Sequence, residues 1–230
     1  MTSASSRSAG LRWLVDLRPE LGPIDWQGNR GTCLSFATTA GHGHSRGLAL
    51  SVEYLHWLCR AQPLGAGKIP SLVVAVQNTG QPDDAQWPYD PTRDEDLEYG
   101  PPPEAVGPFH TADVALIATD ATAAVASLQA GVPPVIGLRV SHAFHRSTGI
   151  VDDDDPGTDG HAVLAVGAAA VTADVPGSGL KAGDALMLVR NSWGVGWGVQ
   201  GHALLTPRTW DAVVLAALTV TPHRAPGTSP

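Results

Sequence analysis

The sequence predicts an α+β fold in two lobes, on three observations. Segments with helical spacing of apolar residues fall in the first half of the chain, and strand-like apolar runs dominate the second. Across 230 residues, 43% hydrophobic side chains supply a normal core while only 16% are charged. The 26 glycines and 19 prolines favour loops and turns over long surface helices. That length suits one large domain or two small lobes sharing a core.

Residues 1–15 are expected to be a flexible segment, with Trp13 to Ile24 an extended entry. A polar turn, Gln27-Gly28-Asn29-Arg30-Gly31-Thr32, ends at Cys33, and Leu34 to Ala40 reads as a small-residue buried helix. Gly41 and Gly43 weaken that helix by about 1 kcal/mol each relative to alanine, which is tolerable only if something packs closely on them. Ser51 is the expected N-cap of a second helix, with Glu53 in its first turn. Val52, Leu55, Leu58 and Cys59 form its apolar stripe, which makes Cys59 a small buried residue. Pro70 to Asn78 reads as a third helix, stopped by Gly80. Strands are expected over Val114–Thr119, Val135–Val140, His161–Val171, Ala185–Val189 and His202–Leu205, with a helix over Ala121–Ala130. The helical lobe then spans about 28–106, the strand-rich lobe about 107–218, and 221–230 is a flexible tail.

Formal net charge is −8, and the only lysines are Lys68 and Lys181, so a nucleic-acid backbone would be repelled. No run of 18 apolar residues predicts a membrane span, and the polar start lacks the apolar core of a secretory signal. Two cysteines, Cys33 and Cys59, are too few for a disulfide scaffold and read as free thiols. A cytoplasmic protein is the expectation.

A thiol becomes nucleophilic as the thiolate, which the start of a helix favours, and Cys33 sits at such a start. It needs a histidine to exchange its proton, a group to orient that histidine, and donors for a developing oxyanion. His161 opens the strand-like run Gly160-His161-Ala162-Val163. Asn191 heads Asn191-Ser192-Trp193-Gly194, ahead of Trp197-Gly198, and the Trp193 indole is placed to keep water from the histidine's bond. Gln27, six residues before Cys33, offers a side-chain amide. By contrast, His42 and His44 lie two apart on a helix and do not share a face, so joint metal binding is disfavoured. His142, His145 and His202 carry no partnered motif and read as structural or surface residues. Asp152 to Asp155 read as a solvated loop, without the spacing of a calcium loop; lying just before His161, the run is also a candidate flank of the cleft that would disfavour acidic substrates.

Taken in order, these segments resemble the papain-like (C1) cysteine peptidase family, from about Asp16 to Leu205. Gln27-Gly28 to Cys33 is similar to its oxyanion-glutamine and nucleophile segment, Gly160-His161-Ala162-Val163 to its histidine strand, and Arg190-Asn191-Ser192-Trp193-Gly194 to its asparagine motif. Leu50-Ser51-Val52-Glu53-Tyr54-Leu55 and Trp87-Pro88-Tyr89 resemble the following helix and an aromatic-Pro-Tyr turn. His161 follows Cys33 by 128 positions, near the ~130–150 of this family. The resemblance implies a helical lobe and a barrel-like strand lobe with the active site in the cleft between them, acting on peptide or protein substrates without metal or organic cofactor. It implies Cys33, His161, Asn191 and Gln27 as catalytic residues, and Gly160, Leu138 and Trp193 as substrate-binding ones, with Asp159 the nearest carboxylate to that pocket.

Two departures stand out. Arg30 occupies the place of the signature's first cysteine and Leu34 that of its aromatic residue. The family's disulfide from this region to the next helix is therefore absent, which suits a reducing compartment. No inhibitory propeptide precedes Gln27, so the enzyme is made active, is restrained by a regulatory or inhibitory protein, or is a piece of a longer chain. Acyl transfer to an amine and catalytically silent peptide binding are the two rival functions.

Overall fold

The computed structural model describes residues 10–94 and 98–223. The polar turn ends, as expected, in helix α1 (Cys33–Arg46), which closes on Gly47 in the left-handed region at φ 66°. Helix α2 (Val52–Arg60) begins at Ser51, whose hydroxyl accepts the Tyr54 N–H. Helix α3 (Ile69–Val74) continues as a π-helical turn over Ala75–Thr79. All three precede the main run of strands, which gives the helix-first order that the apolar spacing predicts.

The sheet contains β1 (Leu11–Asp16), β2 (Ala112–Ile117), β3 (Val135–Val140), β4 (Ile150–Val151), β5 (Asp159–Val171), β6 (Ala185–Arg190), β7 (His202–Leu205) and β8 (Val214–Pro222). Its path runs β2-β8-β3-β5-β6-β7-β4, with β1 added beside β5. The path is open, so the barrel-like lobe is an unclosed sheet. Helices α4 (Ala121–Gln129), α5 (His142–His145) and α6 (Pro207–Val213) complete the chain order.

Two expectations change. Leu11–Asp16, read as part of a flexible segment, is a strand: β3 leaves β5 at Leu164, and β1 pairs from Gly167 to Val171. Residues 1–9 lie outside the described residues. Thr221 and Pro222, expected in the tail, belong to β8, where Pro222 pairs with Ala112; residues 224–230 also lie outside the described residues. Helices α5 and α6 carry no expectation from sequence, each being one or two turns long and too short to show a helical period.

Strand β5 is the centre of the molecule, buried from His161 to Val171 on both faces. One core lies between the sheet and α4 and α6, around Leu128, Ile136, Met187 and Trp210. The other lies between the sheet and the helical lobe, around Leu55, Leu72, Val135 and Leu164. Cys59 belongs to the second core at 2% exposure, and burial pushes its thiol up to about 12, as its place in the α2 stripe predicts.

Arg30 supplies the helical lobe's internal clamp. Its guanidinium takes both Glu53 carboxylate oxygens, at 2.7 and 2.9 Å, and donates to the Asp90 carbonyl at 2.7 Å. It also lies over the Tyr89 ring at 4.6 Å. Glu53 is fully buried, so the pair is held by fixed geometry in a low dielectric. Glu53→Ala should lower unfolding free energy by about 3–5 kcal/mol, by leaving Arg30 charged and buried. Replacing both, Arg30→Met with Glu53→Leu, should cost far less. Urea denaturation of both variants checks this, the two midpoints differing with little change in slope.

Candidate active site

Helix α1 presents Cys33 as its first residue, and the preceding Thr32 makes no side-chain cap. The Thr32 hydroxyl is instead bonded to the Tyr89 hydroxyl at 2.8 Å. First-turn amides are thus left for the thiol: backbone N–H groups of Cys33 and Leu34 favour its ionised form, as does that of Ala162 in β5. Burial outweighs them and pushes the half-buried Cys33 thiol up. The Ala162 contact sets the sulfur against the residue that follows His161.

His161 is 9% exposed near the start of β5, where it pairs with Leu138 of β3. Its Nε2 lies 2.8 Å from Asn191 Oδ1, which also accepts the Ser192 N–H at 2.8 Å. A reversed amide would set its own N–H groups against the Ser192 N–H, so the orientation is determined by the network. Nε2 must therefore donate, and Nδ1 keeps the lone pair that a general base requires. Burial drives His161 down to about 4; the Asn191 bond opposes this, and His145 adds to it. No hydrogen bond joins Cys33 to His161 in this structure, a spacing common before substrate binds.

Gln27 is 7% exposed and held at both ends of its amide. Its Oε1 accepts from Ser192 Oγ at 2.6 Å and its Nε2 donates to the Arg30 carbonyl at 2.7 Å, which leaves one N–H. The Gln27 backbone N–H donates to the Ser192 carbonyl at 2.8 Å, and the Tyr89 hydroxyl donates to the Gln27 carbonyl at 2.9 Å. Ser192 thus aligns the candidate oxyanion amide with the histidine's partner, a role that its place in the Asn-Ser-Trp-Gly turn did not reveal.

The indole of Trp193 lies 4.6 Å from the His161 ring, where it shields the bond to Asn191. On its other side the His145 imidazole stacks at 5.0 Å and 9°. Phe144 and Trp197 fill in behind, 4.9 Å apart. His145, expected to be structural or surface, thus stands one ring away from the candidate base, and nothing beside it in the chain marks it.

Of the expected substrate-binding residues, Gly160 is exposed, with nothing within 4 Å of where a Cβ would sit. Trp193 is half-buried. Leu138 corrects the expectation: at 1% exposure it packs in the sheet core and offers no surface to a ligand. Asp159 is exposed at the start of β5. His42 and His44 turn apart, to Gln81 at 2.9 Å and the Gly131 carbonyl at 3.0 Å. Asp152 and Asp154 meet Arg208 of α6 at 3.3 and 3.6 Å, so that part of the loop is ion-paired rather than only solvated. Among the described residues no three His, Cys, Asp or Glu side chains converge as a metal site.

A cysteine at a helix start, a histidine beside it on a central strand and an asparagine holding that histidine define a cysteine-nucleophile site in a two-lobe α+β fold. A model described as papain family cysteine protease matches residues 59–220, and the chain belongs to this family. The matched stretch contains His161 and Asn191, while Gln27 and Cys33 precede it. Digestive cysteine proteinase 1 of Homarus americanus is 26% identical over 223 residues, covering 85% of this chain and 65% of that protein. Thiol protease aleurain of Arabidopsis thaliana is 28% identical over 196 residues, covering 78% and 51%. The chain thus spans less than two thirds of each of these relatives. A Carica candamarcensis cysteine protease in complex with E-64 superposes with a TM-score of 0.69 at 24% identity, over 91% of this chain and 98% of that one. Xylellain, a cysteine protease of Xylella fastidiosa, gives 0.68 at 22% identity, over 91% and 86%. At these identities the two structures establish the fold.

The causes acting on His161 give a titration prediction with definite signs. In a Cys33→Ala protein, nitrogen-15 NMR should show the His161 imidazole gaining its proton near pH 4, below the usual value of about 6.5. Adding Asn191→Ala removes a bond that favours imidazolium and should move the midpoint lower. Adding His145→Ala removes a repelling charge and should move it higher.

Proposed function

We propose that this chain is a cysteine-type peptidase that hydrolyses peptide bonds through a thioester on Cys33. One observation carries the reading above the rest: His161 gives Nε2–H to Asn191 at 2.8 Å, which leaves Nδ1 as the base. In this mechanism Nδ1 takes the Cys33 proton as sulfur attacks the scissile carbonyl. The Cys33 backbone N–H and the free Gln27 amide N–H receive the oxyanion. The imidazolium gives its proton to the leaving amine, and the thioester forms. His161 then activates water, which cleaves the thioester and returns the proton to sulfur.

Burial disfavours both the doubly protonated and the doubly deprotonated Cys33–His161 pair, since each carries net charge. The pair is net neutral whether its single proton sits on sulfur or on nitrogen. Lowering His161 and raising Cys33 therefore widen the pH range in which one proton is shared. Thiolate–imidazolium attraction, with the helix start, is what favours the reactive form within that range.

Substrates are peptides or proteins, and the open backbone at Gly160 with the Trp193 ring supports a cleft that admits an extended chain. An apolar preference two residues before the scissile bond rests on uncharged Gly160. Arg30 paired with Glu53 holds the nucleophile segment to α2 without a disulfide, which supports action in a reducing, cytoplasmic setting.

Modification by an epoxysuccinyl or iodoacetamide reagent, located by peptide mass spectrometry, tests the reading. Cys33 should react rapidly near pH ~6, with Cys59 spared, and His161→Ala should slow it strongly. Turnover of an activated peptide should fall about 10²–10³-fold in Gln27→Ala, mainly in kcat. Reaction of Cys33 only near the ordinary thiol value of about 8.5, with peptide binding retained and no turnover, would make the chain a binding module. Partition of the thioester to added amines over water would make it an acyltransferase.

A further inference from the structure

A groove of about 760 Å³ is bounded by α1, the 20–26 segment and the 84–91 turn, and neither Cys33 nor His161 lines it. Asp25 and Asp84 line it, with Phe36 and Tyr89 in its walls and the Trp26 indole, 59% exposed, beside them. Its volume is that of a small-molecule or side-chain site.

Charge in this groove is poorly balanced. The nearest cation, Arg190, is 8% exposed and already committed: it donates to the Gly22 carbonyl at 2.6 Å and to the Pro23 carbonyl, and reaches Asp25 at 3.3 Å. Asp84 is half-buried, and its carboxylate has no hydrogen bond or ion pair among the described residues. At the rim, Glu20 and His44 stand 3.9 Å apart and answer each other. Desolvation raises both Asp25 and Asp84, and the charge of Asp25 raises Asp84 further, the behaviour of two carboxylates facing a common space.

We propose that this groove is a second binding site, which takes the guanidinium of an arginine side chain carried by a peptide, between Asp25 and Asp84 and against the Trp26 ring. Charge and shape complementarity select that ligand. A planar guanidinium gives bidentate hydrogen bonds to carboxylates and stacks on an indole face at the same time, which an ammonium does not. A metal ion is the poorer fit, because no third acidic, histidine or cysteine side chain converges there among the described residues. At one end a narrow recess shares Asp25, Phe36 and Arg190 with the groove and reaches Asn191. Occupancy is thus one residue away from the group that orients His161.

The site does not depend on the peptidase reading, and its test keeps the two apart. Full-length Cys33→Ala protein, which cannot turn over, is titrated with Nα-acetyl-arginine methylamide and with the citrulline analogue, an uncharged isostere. Calorimetry supplies affinity, and the Trp26 indole N–H resonance reports location. Saturable arginine binding should shift the Trp26 signal, weaken at least about tenfold in Asp84→Asn, and be absent with citrulline. The circular dichroism and melting of Asp84→Asn, checked against the parent, show that it folds, and Trp26→Leu, also expected to weaken binding, provides an independent variant. Equal affinity for citrulline overturns the proposal. So does binding that Asp84→Asn leaves unchanged, which would place the ligand in the catalytic cleft, and so does an absence of saturation.

Discussion

Everything functional depends on the packing of α1 against β5. The helix carries the proposed nucleophile and the strand the proposed base, so the contact between them sets the distance across which they would react. Small residues permit it. A Cβ on Gly41 would come within 3.3 Å of Leu164 Cδ1, and one on Gly43 within 2.5 Å of the Leu48 carbonyl oxygen. The helix propensity lost at Gly41 is thus exchanged for close approach to β5, and that lost at Gly43 for room for the chain to fold back at Leu48 past the helix end. Ala37 and Leu34 continue the contact into the core that holds Ala162 and Leu164. With β5 buried on both faces, the strand has no freedom to drift, and the Cys33 sulfur lies at the Ala162 N–H as a consequence.

A second set of bonds ties the nucleophile's approach segment to the asparagine turn. Gln27 exchanges backbone and side-chain bonds with Ser192, the Gly194 N–H donates to the Asp25 carbonyl at 3.0 Å, and Arg190 grips the carbonyls of Gly22 and Pro23. Segments far apart in sequence are thereby held as one unit. The oxyanion amide, the histidine's partner and the wall of the arginine-binding groove proposed above all belong to it. On the other side of the turn, Arg30 binds Glu53 of α2. An ion pair fixes direction as a disulfide does, yet responds to substitution at one partner rather than to redox state.

The aromatic group around His161 shows how context gives ordinary residues a role. Phe144, Trp193 and Trp197 keep water from the His161–Asn191 bond, and His145 stacks on the outer face of Trp193. Few of these contacts are local in sequence. Trp193 was legible because it adjoins Asn191, whereas nothing beside His145 in the chain marks it. Leu138 failed in the opposite direction: the resemblance made it a contact residue, and burial in the sheet made it core.

Helices α1 to α4 and strands β2, β3, β5, β6 and β7 were legible from apolar periodicity, from the Ser51 cap and from Gly80 just past a helix end, since each reports a local backbone preference. Cys33, Gln27, His161 and Asn191 were legible because their chemistry demands particular side chains in short, recognisable segments. What the chain alone determined is therefore the set of groups and the elements that carry them. Only the tertiary structure decided that the sheet stays open, that β1 joins β5 where β3 leaves it, that Ser192 aligns Gln27, and that a charged groove lies behind the nucleophile helix. Those outcomes depend on contacts between distant segments, whose energy comes from burial and hydrogen bonding that no local pattern records.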